Sequence, residues 1–459
     1  MDYKREWVLM KILILEPFYT QFHMELARRM SSDITAFVFN YGYMIYLNDA
    51  KKVYIDKEVK NYVHSKNDFY LVKNTKTLYS ETMRKIYNKE PSESDFEYMA
   101  RYVGFLKGYL STNKIDLITM HNDLRWQHAL AIEVCKDLGI RYLITERGIF
   151  RPNTTTIEFM GVNGYSSLPK DKEFYKNYNI EEKELEGYKV SVWKMLKIDI
   201  GFAFFIMLNK LADVLGLNSK IKNKKYSLSK YLEIFVRQKF GRKATNEIDT
   251  AKAYVFIPLQ VNTDTQVLVH SDFKDIQEFI SLVEKEFYSL YSDITLAFKV
   301  HPMERGLVNY KYDSRSLVVD GDTTELVKNS KCVVTINSTV GFEAIQQYKK
   351  VLVLGSAFFK IDGIAVCSSK ESFKEDMKSV LSDQVELDYE AINSFVKYLK
   401  CEYQVNGNLF FWRKETMTAI KKKVEGKNSK ELFEIESRQI TNLSSLTAVY
   451  FEKGSSCIV

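Results

Sequence analysis

Short apolar runs rich in β-branched residues alternate along this chain with stretches whose apolar positions recur every three or four residues. These are the two periodicities of buried strands and one-sided helices. In the first half, Ile12 to Leu15, Ala36 to Phe39 and Asp116 to Met120 read as strands. Between them Met99, Tyr102, Val103 and Leu106 share one helical face, and a helix around Ala129 to Leu138 leads into the strand RYLIT. The rhythm starts again at Ala253 to Val261, an apolar strand, after which Ile276, Phe279, Ile280, Val283 and Phe287 keep helical spacing. Ile294 to Val300, the run KCVVTIN, a helix from Gly341 to Gln347 and the run KVLVLG repeat the unit. Such alternation predicts an α/β fold with two doubly wound parallel sheets and a cleft between them. The expected division is an N-terminal domain over 1–245, a second domain over 246–400, and a C-terminal helical segment and tail over 401–459. Open α/β sheets bind ligands beyond the carboxyl ends of their strands, so the loops there are where chemistry is sought.

A chain of 459 residues that is 46% hydrophobic is long and apolar enough for two packed cores. Its five cysteines are odd in number and lack paired spacing, which argues against a disulfide framework or a zinc cluster and for a reducing cytoplasm. The early run KILILEPF is too short for a signal peptide or a membrane span. A net charge of +7 is modest for this length and does not indicate nucleic acid. Its distribution is more informative. Gly201 to Leu217 is apolar and then amphipathic, and the run from Lys220 to Lys243 carries nine basic residues against one acid, Glu233. The segment 201–243 therefore suits an anionic membrane surface, with Lys222, Lys224 and Lys225 as lipid or acceptor contacts. A buried helix followed by a solvated basic linker is the other reading, and the pattern leaves both open.

The chemistry-bearing loops follow the strands. Strand 294–300 runs into His301-Pro302, and Lys299 lies on the same side of its strand as His301. Asn337-Ser338-Thr339-Val340-Gly341 opens a helix, where unpaired N–H groups, two hydroxyls and the helix dipole suit a phosphate, although the same residues also make an ordinary N-cap. Glu343 in that helix could bind ribose hydroxyls or be a solvated first-turn acid. In the first half, Thr145 to Pro169 is the densest polar cluster. There Glu146, Arg151 and Glu158 form an acid/base or nucleophile set with an arginine for a sugar carboxylate, or else a loop held by an ion pair. His121-Asn122-Asp123-x-Arg125 adds a polar strand end on the same rim.

Taken in order, Glu146-x-Gly148-x-x-Arg151-Pro152, Thr156-x-Glu158, Gly161-Val162-Asn163, Ser167-Leu168-Pro169, Pro258-Leu259-Gln260, Asp264-x-Gln266, Lys299-x-His301-Pro302 and Asn337 to Gly341 resemble the capsule-synthesis family of bacterial β-Kdo glycosyltransferases, the KpsS/KpsC type, nearer its KpsS branch. The resemblance covers about half the chain; the first and last hundred residues carry no matching motif. It implies a GT-B-like pair of Rossmann-type domains and a retaining β-Kdo transferase that uses CMP-Kdo and starts the capsule linker on a phosphatidylglycerol-type lipid. It further implies donor binding by His301, Pro302, Lys299, Asn337, Ser338, Thr339, Glu343 and Gln260, with Arg151 on the Kdo carboxylate. Glu158 is expected as nucleophile with Glu146 as acid/base, the reverse order remaining open. No cofactor or metal is expected, the phosphate charge being met by His301, Lys299 and the helix dipole. Expected partners are the CMP-sugar, a phospholipid or glycolipid acceptor, the inner face of the cytoplasmic membrane and other capsule proteins. One departure stands out: Arg147 replaces the second acid of the family's Glu-Glu-Gly. A related CMP-sugar transferase acting on a glycan, or a non-catalytic capsule export or scaffold protein, are the alternatives.

Overall fold

In a computed structural model, residues 10–17, 20–31, 33–47, 50–180, 185, 192–218, 221, 252–304 and 308–426 are described. Two largely parallel sheets organise them, the first with an antiparallel edge. The first contains β1 (Ile12–Leu15), β2 (Ile34–Val38), β3 (Lys51–Tyr54), β4 (Leu117–His121), β5 (Arg141–Arg147) and β6 (Thr154–Glu158). The second contains β7 (Tyr254–Pro258), β8 (Thr295–Lys299), β9 (Leu317–Val318), β10 (Val333–Thr335), β11 (Val351–Val353) and β12 (Val366–Cys367). A last strand, β13 (Gln404–Asn406), belongs to the first sheet, whose order is β13-β6-β5-β4-β1-β2-β3; the second has order β12-β11-β10-β7-β8-β9. Both orders reverse direction once in the parallel part, between β1 and β4 and between β7 and β10. Those reversals are the topological switch points at which doubly wound sheets open a crevice.

The strands are apolar on both faces because helices cover both. Ile12 to Leu15, Leu117, Ile118 and Met120 are fully buried, as are Val255 to Ile257 and Leu296 to Phe298. Met99, Tyr102, Val103 and Leu106 do share the buried face of the helix Glu93–Asn113, which begins with a Ser92–Asp95 capping box. Ile276, Phe279, Ile280, Val283 and Phe287 do the same for the helix Ile276–Tyr288 in the second core.

The chain divides less simply than a cut near residue 245. Leu168 and Tyr175 already pack in the second core, where the Tyr175 ring lies 4.8 Å from Phe395 and 5.4 Å from Tyr398. Residues 192–214 then return to the first domain. The segment expected as a separate C-terminal unit also comes back to it. β13 pairs antiparallel with β6, and Met417, Ile420 and Val424 of the helix Lys414–Glu425 complete the core over β1 and β2. The reason is burial: without these residues the β6 edge and the apolar face beside it would meet water. Lys222, Lys224 and Lys225 lie outside the described residues.

Several contacts hold the two domains around the cleft. Lys85 donates to the carbonyls of Ser271 and Phe273 at 2.9 and 2.8 Å. Leu78 and Leu124 pack with Leu268 and Val269, and the Tyr165 ring meets His270 edge-on at 4.6 Å. Only glycine fits at 164 in this crossing, since a Cβ there would lie 2.5 Å from the Ser356 carbonyl oxygen.

Candidate active site in the interdomain cleft

The carboxyl ends of β5, β7 and β10 and the loop after β8 open into one cavity of about 240 Å³. Glu146, Arg147, Arg151 and Thr156 line it from the first domain; Gln260, Gln266, His301, Asn337, Ser338 and Thr339 line it from the second. The two halves of the sequence-derived site therefore face one another.

On the second-domain wall, Gln260 and Asn337 lock the switch point. The Gln260 amide donates to Asn337 Oδ1 at 2.9 Å, the Asn337 N–H donates back to Gln260 Oε1 at 3.2 Å, and the Asn337 amide donates to the Gln266 carbonyl. This exchange ties the loops after β7 and β10 together. Ser338 is the N-cap of the helix Thr339–Gln346, its hydroxyl accepting from the Val340 N–H at 3.3 Å. The cap leaves the helix's positive end directed into the cavity. His301 Nδ1 accepts from the Met303 N–H at 3.2 Å, which places the proton of the neutral ring on Nε2. That tautomer presents a donor from the turn made by His301 and Pro302.

Three expected donor contacts are differently placed. Lys299 does not line the cavity: its ammonium donates to the Gly321 carbonyl at 2.7 Å and to Thr323 Oγ1 at 2.6 Å, capping the next βα turn. Glu343 is exposed and also outside the lining, on a helix face that Arg151 and Lys299 influence electrostatically. Pro302 is exposed beside His301 and shapes the turn without lining the cavity.

The first-domain wall separates the two carboxylates. β5 and β6 are antiparallel, with Glu146 opposite Thr156 and Ile144 opposite Glu158. All four side chains share one face, but Glu158 sits two pairs further from the strand ends, roughly 7 Å deeper. Glu146 reaches the cavity and Glu158 does not. Glu158 is 2% exposed, and both oxygens are engaged: Oε1 accepts from Ser167 N (2.9 Å), Ser167 Oγ (3.0 Å) and Tyr403 OH (2.7 Å), and Oε2 from Phe159 N (3.2 Å). Burial pushes its carboxyl up, partly offset by those donors. The expected nucleophile is thus a buried brace between β6, the interdomain crossing and the C-terminal return.

Glu146 is half-buried at the cavity wall, where Asn122 Nδ2 donates to Oε2 at 3.0 Å and the Arg147 N–H to Oε1 at 2.8 Å. Burial opposes its ionisation, but His121, the Arg147 N–H and the Asn122 amide outweigh burial and hold the carboxyl below the usual range. Asn122 adopts φ 69°, a left-handed conformation that asparagine tolerates, and this aims its amide at Glu146. Arg147, also on the cavity lining, stacks over Phe410, 5.2 Å from the ring centroid. Arg151 lines the cavity, with its Nε donating to the Gly148 carbonyl at 3.3 Å.

Two polar groupings of the first domain lie outside the sequence motifs. Glu16, at the end of β1, is 4% exposed with φ 47° and accepts from Asn40 and Gln127; its signal was an acid ending the first strand beside the switch point. Tyr403 and Gln404 come from a region without motifs. Gln404 accepts from the Ile149 N–H at 3.0 Å and donates to Thr156 Oγ1 at 2.9 Å, so the C-terminal return supports the loop that carries Arg151.

Asp123 gives this wall a pH signature. Its Oδ2 accepts from the Val162 N–H at 2.8 Å, Oδ1 is buried with no hydrogen-bond partner, and burial pushes the carboxyl up to about 7. The folded state therefore holds a proton that the unfolded chain releases near pH 4, and this contribution weakens as pH rises from about 4 to about 7. Asp123→Asn keeps the acceptor and removes the titration. Its stability relative to the parent should rise across that interval by up to roughly 4 kcal/mol, read from urea melts at matched pH values.

Two Rossmann-type domains whose switch points face a shared, polar cleft define a two-domain α/β protein of the GT-B-like kind. The family described as "Capsule polysaccharide biosynthesis protein" matches residues 116–410, and the chain belongs to that family. Its relatives include the "Capsule polysaccharide export protein KpsS" of Escherichia coli, 30% identical over 325 residues that cover 61% of this chain and 80% of the relative. Another is the "Capsule polysaccharide modification protein LipB" of Neisseria meningitidis serogroup A, 25% identical over 334 residues covering 67% and 77% of the two chains. Among solved structures, Thermosulfurimonas dismutans KpsC, a beta Kdo 2,7 transferase, aligns over 80% of this chain and 98% of its own at 12% identity with a TM-score of 0.36.

Proposed function

We propose that this chain is a retaining glycosyltransferase that moves Kdo from CMP-Kdo to a phosphatidylglycerol-type lipid, starting a capsule linker at the inner face of the cytoplasmic membrane. Membership of the capsule biosynthesis family supports the pathway. The observation that carries the reaction is Glu146, an ionised carboxylate held on one wall of the cleft opposite the Ser338-capped helix and His301.

In this reading the helix N-terminus and the His301 Nε2–H bind the CMP phosphate, and Arg151 pairs with the Kdo carboxylate. A Glu146 oxygen attacks the anomeric carbon as the bond from that carbon to the phosphate oxygen breaks, and CMP leaves with the electron pair. The acceptor hydroxyl then attacks the same carbon, Glu146 departs as carboxylate, and the hydroxyl proton passes to the CMP phosphate. Two inversions retain the configuration. Lys299 and Glu158 act as structural residues.

The direct test is incubation of purified protein with CMP-Kdo and fluorescent phosphatidylglycerol, followed by mass spectrometry of the lipid. A mass gain of one Kdo is expected; CMP release without lipid product would point to a glycan acceptor. The substitution of an acid by Arg147, stacked on Phe410, favours a second reading as a non-catalytic capsule protein. CMP binding with neither transfer nor hydrolysis would identify it. His301→Ala should weaken CMP binding by about tenfold, the contribution of one hydrogen bond to a charged phosphate, in calorimetric titration, with melting unchanged.

A further inference from the structure

The helix Val192–Val214 carries its apolar side outward. Trp193, Leu196, Ile200, Phe204, Met207 and Leu211 recur every three or four residues and are between 45% and 76% exposed. The opposite side is the one that docks. Phe205 packs on Tyr43 with ring centroids 4.4 Å apart, Asn209 Oδ1 accepts from the Gly42 N–H at 3.1 Å, and Ala212 is buried. The helix is therefore seated on the first domain and displays an apolar ridge roughly 27 Å long. A ridge of that extent is larger than scattered surface residues explain and marks an interaction site.

Charge identifies the occupant. Lys194 and Lys197 flank the ridge and Asp213 is paired with Lys210; the exposed Asp199 is the other acid of the helix, whose net charge is positive. In the sequence the helix is followed at once by the run from Lys220 to Lys243, with nine basic residues and one acid. Protein interfaces are depleted in lysine, whereas apolar ridges edged by lysine match anionic headgroups over acyl chains. A cavity of about 270 Å³ opens beside the helix, lined by Arg28, Lys197 and Trp412 together with Gln21 and the acid Glu25. Among the described residues no helix is long and apolar enough to cross a membrane, so the ridge would lie along the surface.

We infer that the helix Val192–Val214 lies in the plane of an anionic phospholipid monolayer, with its apolar ridge below the headgroups and its lysines among them. This deepens the lipid-acceptor reading and rests on it for its purpose: the helix would hold the enzyme at the surface where its acceptor resides.

The test is flotation of the full chain with vesicles of phosphatidylcholine containing about a third phosphatidylglycerol, against pure phosphatidylcholine, for the parent and for Phe204→Glu/Leu211→Glu. The parent should partition into the anionic vesicles about tenfold more than into neutral ones, and the double variant should lose at least about tenfold of that binding while keeping its CMP affinity and melting temperature. Trp193 emission should shift to the blue on vesicle addition in the parent alone. Equal partitioning of parent and variant, no vesicle binding by the parent, or a parent dimer that light scattering shows to be lost in the variant would each overturn the inference. None of these readouts uses CMP-Kdo. A transferase assay that fails while flotation succeeds would remove the proposed reaction and leave the membrane surface standing.

Discussion

Glu146→Gln should lower turnover by about a thousandfold or more while leaving CMP affinity within about twofold and the melting temperature unchanged. The substitution keeps the side chain's shape and removes the negative charge that the site is arranged to keep. Asn122 and the Arg147 N–H hold the two oxygens at 3.0 and 2.8 Å, and an amide can still accept one of those bonds. What an amide cannot do is attack an anomeric carbon and later depart as a stable anion. In the proposed reaction CMP is held by the other wall, which Ser338 and His301 line, so binding and chemistry should separate cleanly. Single-turnover CMP release gives the rate, and calorimetry gives the affinity. Turnover within tenfold of the parent would remove Glu146 from the reaction. The activity should also fall as pH drops through the depressed pKa of Glu146, because protonation has the same effect as the glutamine; the pH profile of the parent checks this.

Glu158→Gln should do the opposite: lower stability by about 2–4 kcal/mol and leave the rate per folded molecule largely intact. Glu158 accepts four hydrogen bonds, and two of the donors are backbone N–H groups, from Phe159 and Ser167 on different oxygens. A glutamine can satisfy only one of those two; its NH₂ group must face the other N–H in a buried site. The strain falls on the junction of β6, the interdomain crossing and Tyr403, so cooperative unfolding in urea should report it. The pair of variants is decisive only together. If Glu158→Gln abolished transfer with an unchanged melt, while Glu146→Gln kept transfer, the nucleophile would be the deeper carboxylate and the cleft would have to open to reach it.

Much of the architecture could be read from periodicity because it is local. The β1, β4, β7 and β8 strands and the helix faces at Met99–Leu106 and Ile276–Phe287 follow from side-chain spacing alone, and their burial matches that spacing. The polar strand ends were legible for the same reason: a strand that stops at His301 or Asn337 in a parallel sheet must deliver those residues to the carboxyl edge. Depth was not legible. Glu146 and Glu158 are equally acidic and twelve residues apart in the sequence; only the antiparallel register of β5 with β6 sets one at the cleft and the other beneath it. Lys299 likewise shares a strand face with His301, but a long flexible side chain goes where acceptors are, here Gly321 and Thr323.

By itself, the amino-acid sequence determined two α/β units, the loops that meet in the cleft, and an apolar helix running into a basic segment, since each depends on neighbours a few positions away. The tertiary structure decided that residues 404–425 return to complete the first domain, that Tyr403 fastens Glu158 as a brace, and that the apolar ridge of Val192–Val214 faces outward. Those outcomes turn on which surfaces are left uncovered once everything else has packed, and burial is a property of the whole chain that no local spacing encodes.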